Sequence, residues 1–143
     1  MNVETILRNK GSWVATIRPD ATVAEAVETL NRERIGALVV SEDGDSVGGM
    51  VSERDIVNAL GDHGADLLSR PVDEIMTRRV IACDPADTVQ ELMAEMTNRR
   101  FRHLPVIKNG RLCGIVSIGD LVKNRLDEIE FEANSLRSFI AGG

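Results

Sequence analysis

Asp20-Ala-Thr-Val-Ala-Glu-Ala-Val-Glu-Thr-Leu30 returns 66 residues later as Ala86-Asp-Thr-Val-Gln-Glu-Leu-Met-Ala-Glu-Met96. Thr22 matches Thr88, Val23 matches Val89, and Pro19 matches Pro85. Each copy opens with Thr-x-x-Glu, the capping box that ties down a helix N-terminus. Each then sets apolar residues at i, i+3, i+4 and i+7. They are Val23, Ala26, Val27 and Leu30 in one copy and Val89, Leu92, Met93 and Met96 in the other. That spacing predicts an amphipathic helix lying on an apolar surface.

Outward from each helix the correspondence continues. A short apolar run follows, Ala37–Val40 or Leu104–Ile107, and then a turn, Glu42–Asp45 or Lys108–Arg111. Asn109-Gly110 is a strong hairpin signal. A second apolar run, Val47–Val51 or Leu112–Val116, leads into Ser52-Glu-Arg-Asp55 or Ser117-Ile-Gly-Asp120, which open further helices. Before each first helix stands an extended piece, Trp13–Ile17 or Arg79–Cys83. Val3-x-x-Ile6-Leu7 and Val72-x-x-Ile75-Met76 begin the two copies. Each repeat therefore reads as strand, helix, strand, turn, strand, helix. A unit of about 60 residues is marginal alone, so the two repeats are expected to pack on each other. The boundaries are 1–61 for the first repeat, 62–71 for a connector, 72–126 for the second repeat and 127–143 for an acidic helical tail. In that tail Leu126, Ile129, Leu136, Phe139 and Ile140 carry helical apolar content. It reads first as a helix packed on its own domain, and otherwise as a partner surface.

The 143 residues are 43% apolar and 28% charged, ordinary for a globular chain. No stretch approaches the ~20 apolar residues of a membrane span. The first residues lack a basic segment followed by an apolar run, so no signal peptide is expected and the cytoplasm is the expected compartment. A net charge of −6 and only 3% aromatic residues argue against nucleic acid as a partner. The phosphate-loop pattern, His-Glu-x-x-His and Cys-x-x-Cys are all absent, and no nucleophile–base pair is visible. Cys83 and Cys113 lie in apolar segments and read as packing residues. Trp13 also reads as a packing residue, and His63 as exposed.

Gly-x-Val-Ser-x-x-Asp closes both copies, as Gly49-Met-Val-Ser-Glu-Arg-Asp55 and Gly114-Ile-Val-Ser-Ile-Gly-Asp120. With Arg102-His-Leu-Pro-Val106 entering a strand, this resembles a tandem pair of CBS domains, named for cystathionine β-synthase and called a Bateman module. The resemblance covers about residues 3 to 125. It implies an α+β fold of two pseudo-symmetric repeats, each a short three-stranded sheet with two helices. It further implies two clefts for adenosine-containing ligands, with AMP the leading candidate beside ADP, ATP, NAD(H) and S-adenosylmethionine. A homodimer and a separate regulated protein are the implied partners. No catalytic role and no metal are expected.

The residues themselves offer two readings of Ser-x-x-Asp. At a strand-to-helix junction the helix N-terminus favours a phosphate, and the Asp carboxylate can accept from ribose hydroxyls. Equally, Ser-x-x-Asp is close to a capping box, which alone contributes about 1 kcal/mol. Both pairs, Ser52/Asp55 and Ser117/Asp120, are candidates. Arg99, Arg100, Arg102 and His103 cluster before a strand. Alternation sends Arg102 and His103 to opposite faces, and Arg99 reads as solvated. The resemblance implies phosphate contacts for Arg102 and His103. The first copy has Gly36-Ala37 there instead, and Arg54 is the substitute cation. Val14, Thr16, Val80, Ile81, Ile35, Leu104 and the adjoining Pro105 complete the set, as an apolar slot for adenine. The alternative is a structural dimerisation or protein-interaction module with no nucleotide.

Overall fold

The computed structural model describes residues 1–99 and 101–142. In chain order they form α1 (Val3–Lys10), β1 (Thr16–Ile17), α2 (Val23–Glu33), β2 (Ala37–Val40), β3 (Gly49–Ser52), α3 (Glu53–His63), α4 (Val89–Arg99), β4 (His103–Lys108), β5 (Arg111–Ser117) and α5 (Ile118–Gly142). Short 3-10 turns at Gly64–Ser69 and Val72–Glu74 join the halves.

The repeated helices are α2 and α4, and their caps are as expected. The Thr22 hydroxyl accepts from the Glu25 N–H at 3.2 Å, and the Glu25 carboxylate accepts from the Thr22 N–H at 3.1 Å. Thr88 and Glu91 repeat the exchange at 3.2 and 3.4 Å. In the first half β1 runs parallel to β2, and β2 antiparallel to β3. In the second, β4 and β5 form a hairpin whose tip holds Asn109 and Gly110 at φ 55° and 76°. Those two left-handed residues make the tight turn that matches strand twist.

The third strand of the second half is shorter than the sequence predicts. It contracts to one parallel bridge between Cys83 and Val106, where the Cys83 N–H donates to Pro105 O at 3.0 Å. Two neighbours explain this. The Asp84 N–H donates to the Asp87 carboxylate and turns the chain. Upstream, Thr77 pairs with Met50 of the first half, which draws that segment away.

The lead-in segments are exchanged between the halves. Val3 and Ile6 of α1 are buried with Cys83, Val89, Leu92, Met96, Leu104, Val106, Val116 and Leu121, all of the second half. The Val3 N–H donates to Asp87 O at 3.0 Å. Conversely, Val72 is buried with Ile17, Ala26, Leu30, Leu38, Val40 and Val51 of the first half, and its N–H donates to Ala21 O at 2.7 Å. A third cluster joins the halves: Ala37, Val39 and Met50 are buried under Val14, Val47, Val80, Leu112 and Ile115.

Gly49 shows how closely the exchanged segment lies. A Cβ there would stand 2.8 Å from both Thr77 O and Met76 Sδ. Gly49→Ala is therefore expected to destabilise the fold by about 1–3 kcal/mol, read from urea unfolding. Gly114→Ala is expected to cost less, because the atoms nearest a Cβ there belong to the flexible Leu7 side chain and not to backbone. Equal losses at the two sites would contradict the rigid obstacle at Thr77.

The C-terminal segment differs from its first expectation. Residue 126 lies inside the single helix α5, and Leu126, Leu136, Phe139 and Ile140 are exposed rather than packed on the domain. Trp13 is 65% exposed on the connection between α1 and β1, so it is not a packing residue. Neither Gly11 nor Trp13 of that connection belongs to a core.

A candidate nucleotide cleft between the halves

A cavity of about 320 Å³ opens between the halves. Four pieces of chain wall it: the start of β2, the junction of β3 with α3, the lead-in from Thr77 to Ile81, and the entry to β4. They bring together Gly36, Ala37, Ser52, Arg54, Asp55, Val80, Ile81, Arg102, His103 and Leu104 from the sequence-predicted set. Met50, Glu53, Thr77, Arg79 and Phe101 also line it.

The junction is built by its own cap. The Ser52 hydroxyl accepts from the Asp55 N–H at 3.2 Å, and Asp55 Oδ2 accepts from the Ser52 N–H at 2.9 Å. The Thr77 hydroxyl donates to Asp55 Oδ1 at 3.3 Å. Asp55 thus serves as a cap and as a wall of the cavity at once. Around it stand three cations, Arg54, Arg79 and Arg102, and among the described residues none of them makes an ion pair. Leaving three cations without carboxylates suits an incoming anion.

His103 and Gly36 meet across the cleft. A Cβ on Gly36 would come within 3.2 Å of His103 Cε1. The absence of a basic residue at Gly36 in the first copy thus has a steric complement: the glycine makes room for the imidazole of the second. Burial pushes the His103 pKa below the usual imidazole value, and Asp120 and Glu53 offset this only in part.

The remaining predicted residues lie elsewhere. Val14 packs in the cluster between the halves and Ile35 against the first core. Thr16 is exposed in β1, and Pro105 is buried opposite Ile115. None of the four lines this cavity, because strand alternation or core packing turns each away. Arg100 lies outside the described residues. Ser117 and Asp120 form the matching cap in the second half, with the Asp120 N–H donating to Ser117 Oγ at 3.1 Å. There the carboxylate is already engaged. Lys10 Nζ donates to Asp120 Oδ2 at 2.7 Å and to Ile115 O at 3.0 Å. Lys10 was not singled out from sequence, since only the exchange of α1 brings it there.

Asp120 and His103 set the response to acid. Burial raises the Asp120 carboxyl, but hydrogen bonds from Lys10 and the Ser117 N–H, with the Lys10 charge, hold it below the usual 3.8. Its contribution is complete above 3.8 and is lost as pH falls below that, through the lowered value of the folded chain. For His103 the folded value is depressed, so below about 6.5 the unfolded chain takes up a proton that the folded chain refuses. Both effects lower stability on acidification. Urea midpoints are expected to fall as pH drops from 7 to well below 4, with the His103 part removed in His103→Gln. Lys10→Met is expected to flatten the portion below pH 4. A midpoint that rises on acidification would contradict both assignments.

Cys83 is buried, and that burial, reinforced by Asp87 and Cys113, pushes its thiol up to about 12. A thiol so disfavoured as thiolate is a packing residue. Among the described residues no cluster of three or more His, Cys, Asp or Glu is arranged to hold a metal ion. Nor is any helix among them long and apolar enough to cross a membrane.

Known proteins share this fold. The chain is 36% identical over 137 residues to a mitochondrial CBS domain-containing protein of Arabidopsis thaliana, covering 93% of this chain and 66% of that one. A crystal structure of a CBS-domain-containing protein from Agrobacterium tumefaciens superposes with a TM-score of 0.84 at 45% identity, covering 87% of this chain and 99% of that one. A CBS domain pair solved with 5′-methylthioadenosine and S-adenosylmethionine shares the fold, with a TM-score of 0.79 at 23% identity over 90% of this chain and 98% of that one. Residues 14–62 and 72–127 each match the CBS domain, one in each half. The chain is a tandem pair of such domains and belongs to the CBS domain family.

Proposed function

We propose that this CBS pair binds an adenosine-containing nucleotide in the cavity beside α3 and signals its occupancy to a separate protein. The observation that carries this is the set of cations without an ion pair among the described residues, Arg54, Arg79 and Arg102, around one cavity that also holds Asp55. Phosphate oxygens suit the guanidinium groups, which bind them in a fixed fork. Asp55 Oδ1 is the acceptor for ribose hydroxyls. Val80, Ile81 and Leu104 supply the apolar wall for adenine. The cavity volume, about 320 Å³, falls at the lower end of small-molecule sites. That favours a mononucleotide, AMP first, over NAD(H). A solved pair of the same fold holds adenosine compounds, which supports the ligand class and not a particular member.

The walls come from both halves, so a ligand there bridges them. Bridging favours one packing of the halves in proportion to its differential affinity. A partner protein, or a second copy of the chain, then reads that packing. The chain acts in this reading as a regulatory unit and not as an enzyme.

The competing reading is a purely structural module. Its support is specific: Ser52/Asp55 and Ser117/Asp120 already form complete caps with no ligand. Calorimetry and thermal unfolding with AMP, ADP, ATP, NAD(H) and S-adenosylmethionine separate the two. Ligand at 100 times its Kd is expected to add about 2.7 kcal/mol of apparent stability. No shift with any of them, in protein free of carried-over nucleotide, would sink the nucleotide reading and leave the structural one.

A further inference from the structure

Helix α5 spans 25 residues, and only its first turns touch the rest of the molecule. Leu121 and Asn124 are buried against the domain, and the Met1 amino group lies 3.7 Å from Glu128. On the opposite face Val122, Leu126, Ile129, Ala133, Leu136 and Ile140 follow one another at spacings of 4, 3, 4, 3 and 4. That is the a/d seam of a coiled coil. It is bare: Leu126 is 60% exposed, Leu136 60% and Ile140 70%. An apolar stripe of this length calls for a partner.

The flanking charges say which partner. With Leu126, Ala133 and Ile140 at a and Val122, Ile129 and Leu136 at d, Arg125 and Glu132 occupy g. Lys123, Glu130 and Arg137 occupy e. In a parallel pair each g residue faces the e residue five positions on in the other helix. Arg125 then meets Glu130 of a second copy, and Glu132 meets its Arg137. Both contacts join opposite charges. An antiparallel pair centred on the seam sets Glu130 against Glu130, Glu132 against Glu132, and Lys123 against Arg137. All three contacts there join like charges.

We propose that α5 is an interaction surface whose occupant is the α5 of a second copy, in parallel and in register. The seam residues are mixed: Leu126 with Ile129 suits four strands, and Leu136 with Ile140 suits two. Orientation and register are set by the charges. Phe139, at g, flanks the seam, and Phe131, at f, lies outside it. Arg125 holds Glu128 at 3.1 Å within its own helix, and the pairing shares it with Glu130. None of the seam residues lines the nucleotide cavity.

The test uses the full chain. One variant, Arg125→Glu with Glu132→Lys, reverses the g charges. A second, Glu130→Lys with Arg137→Glu, reverses the e charges. All four sites are on the surface of α5, and circular dichroism checks that the fold persists. By sedimentation each variant alone is expected to self-associate at least tenfold more weakly than the unaltered chain. Mixed one to one, they are expected to regain the original strength as a heterodimer. Ile140→Cys, added to each background and mildly oxidised, is expected to cross-link the unaltered pair and the mixture but neither variant alone. Association indifferent to charge reversal would overturn the proposal by showing that another face or another protein covers the seam. Failure of Ile140→Cys to cross-link while association persists would overturn the parallel register.

Discussion

Leu38→Ala is expected to lower the unfolding free energy by about 2–5 kcal/mol, the range for deleting a fully buried leucine. Leu38 is 0% exposed. It sits in β2, the middle strand of its sheet, and packs in the core with Ile17, Leu30, Val40, Val51 and the exchanged Val72. Strands on both sides and a segment from the other half limit how far the cavity can collapse, which favours the upper part of the range. Against a typical total of 5–15 kcal/mol this is a large fraction. Urea denaturation is the measurement, with the midpoint falling and the slope unchanged. A loss under about 1 kcal/mol would mean that the site is plastic and the core poorly defined.

Asp55→Ala is expected to weaken nucleotide binding roughly tenfold to a hundredfold, the effect of losing hydrogen bonds to a charged acceptor. It should also cost about 1 kcal/mol of stability, because the same carboxylate closes the cap of α3. Asp55→Asn separates the two effects, since it keeps the shape and most of the cap but not the charge. Asp120→Ala is the contrast. Its carboxylate is already held by Lys10 at 2.7 Å, so affinity is expected to stay as it was while acid stability changes. Calorimetry on the three variants decides the matter. Equal losses in Asp55→Ala and Asp120→Ala would mean that both clefts bind and that Lys10 yields its place.

The elements that announce themselves locally were legible in the sequence. The boxes at Thr22 and Thr88, the apolar stripes behind them and the Asn109-Gly110 turn each need only their own neighbours, and each is where the pattern puts it. Ten of the candidate ligand residues line one cavity, eight of them for a related reason: they cluster at two strand starts and one strand-to-helix junction, while Val80 and Ile81 come from the lead-in beside them. What the sequence concealed is nonlocal. Nothing in Val3-x-x-Ile6 says which of two similar sheets it will cover, and the choice of the farther one carries Lys10 to Asp120. Thr77 and Arg79 were missed likewise, because strand pairing with Met50 places them at the cleft. Glu53 and Phe101 were within reach, as immediate neighbours of Arg54 and Arg102.

The crossing of the lead-in segments has a consequence in time. During synthesis α1 leaves the ribosome long before Leu121, which completes the surface it covers. At about 5–20 residues per second, Val3 and Ile6 wait on the order of ten seconds for their place. The first half meets a shorter delay, because Val72 arrives soon after the strands it seals. Helix α1 is thus made well before the surface that seats it, and in the interval the nascent chain carries an uncovered apolar turn.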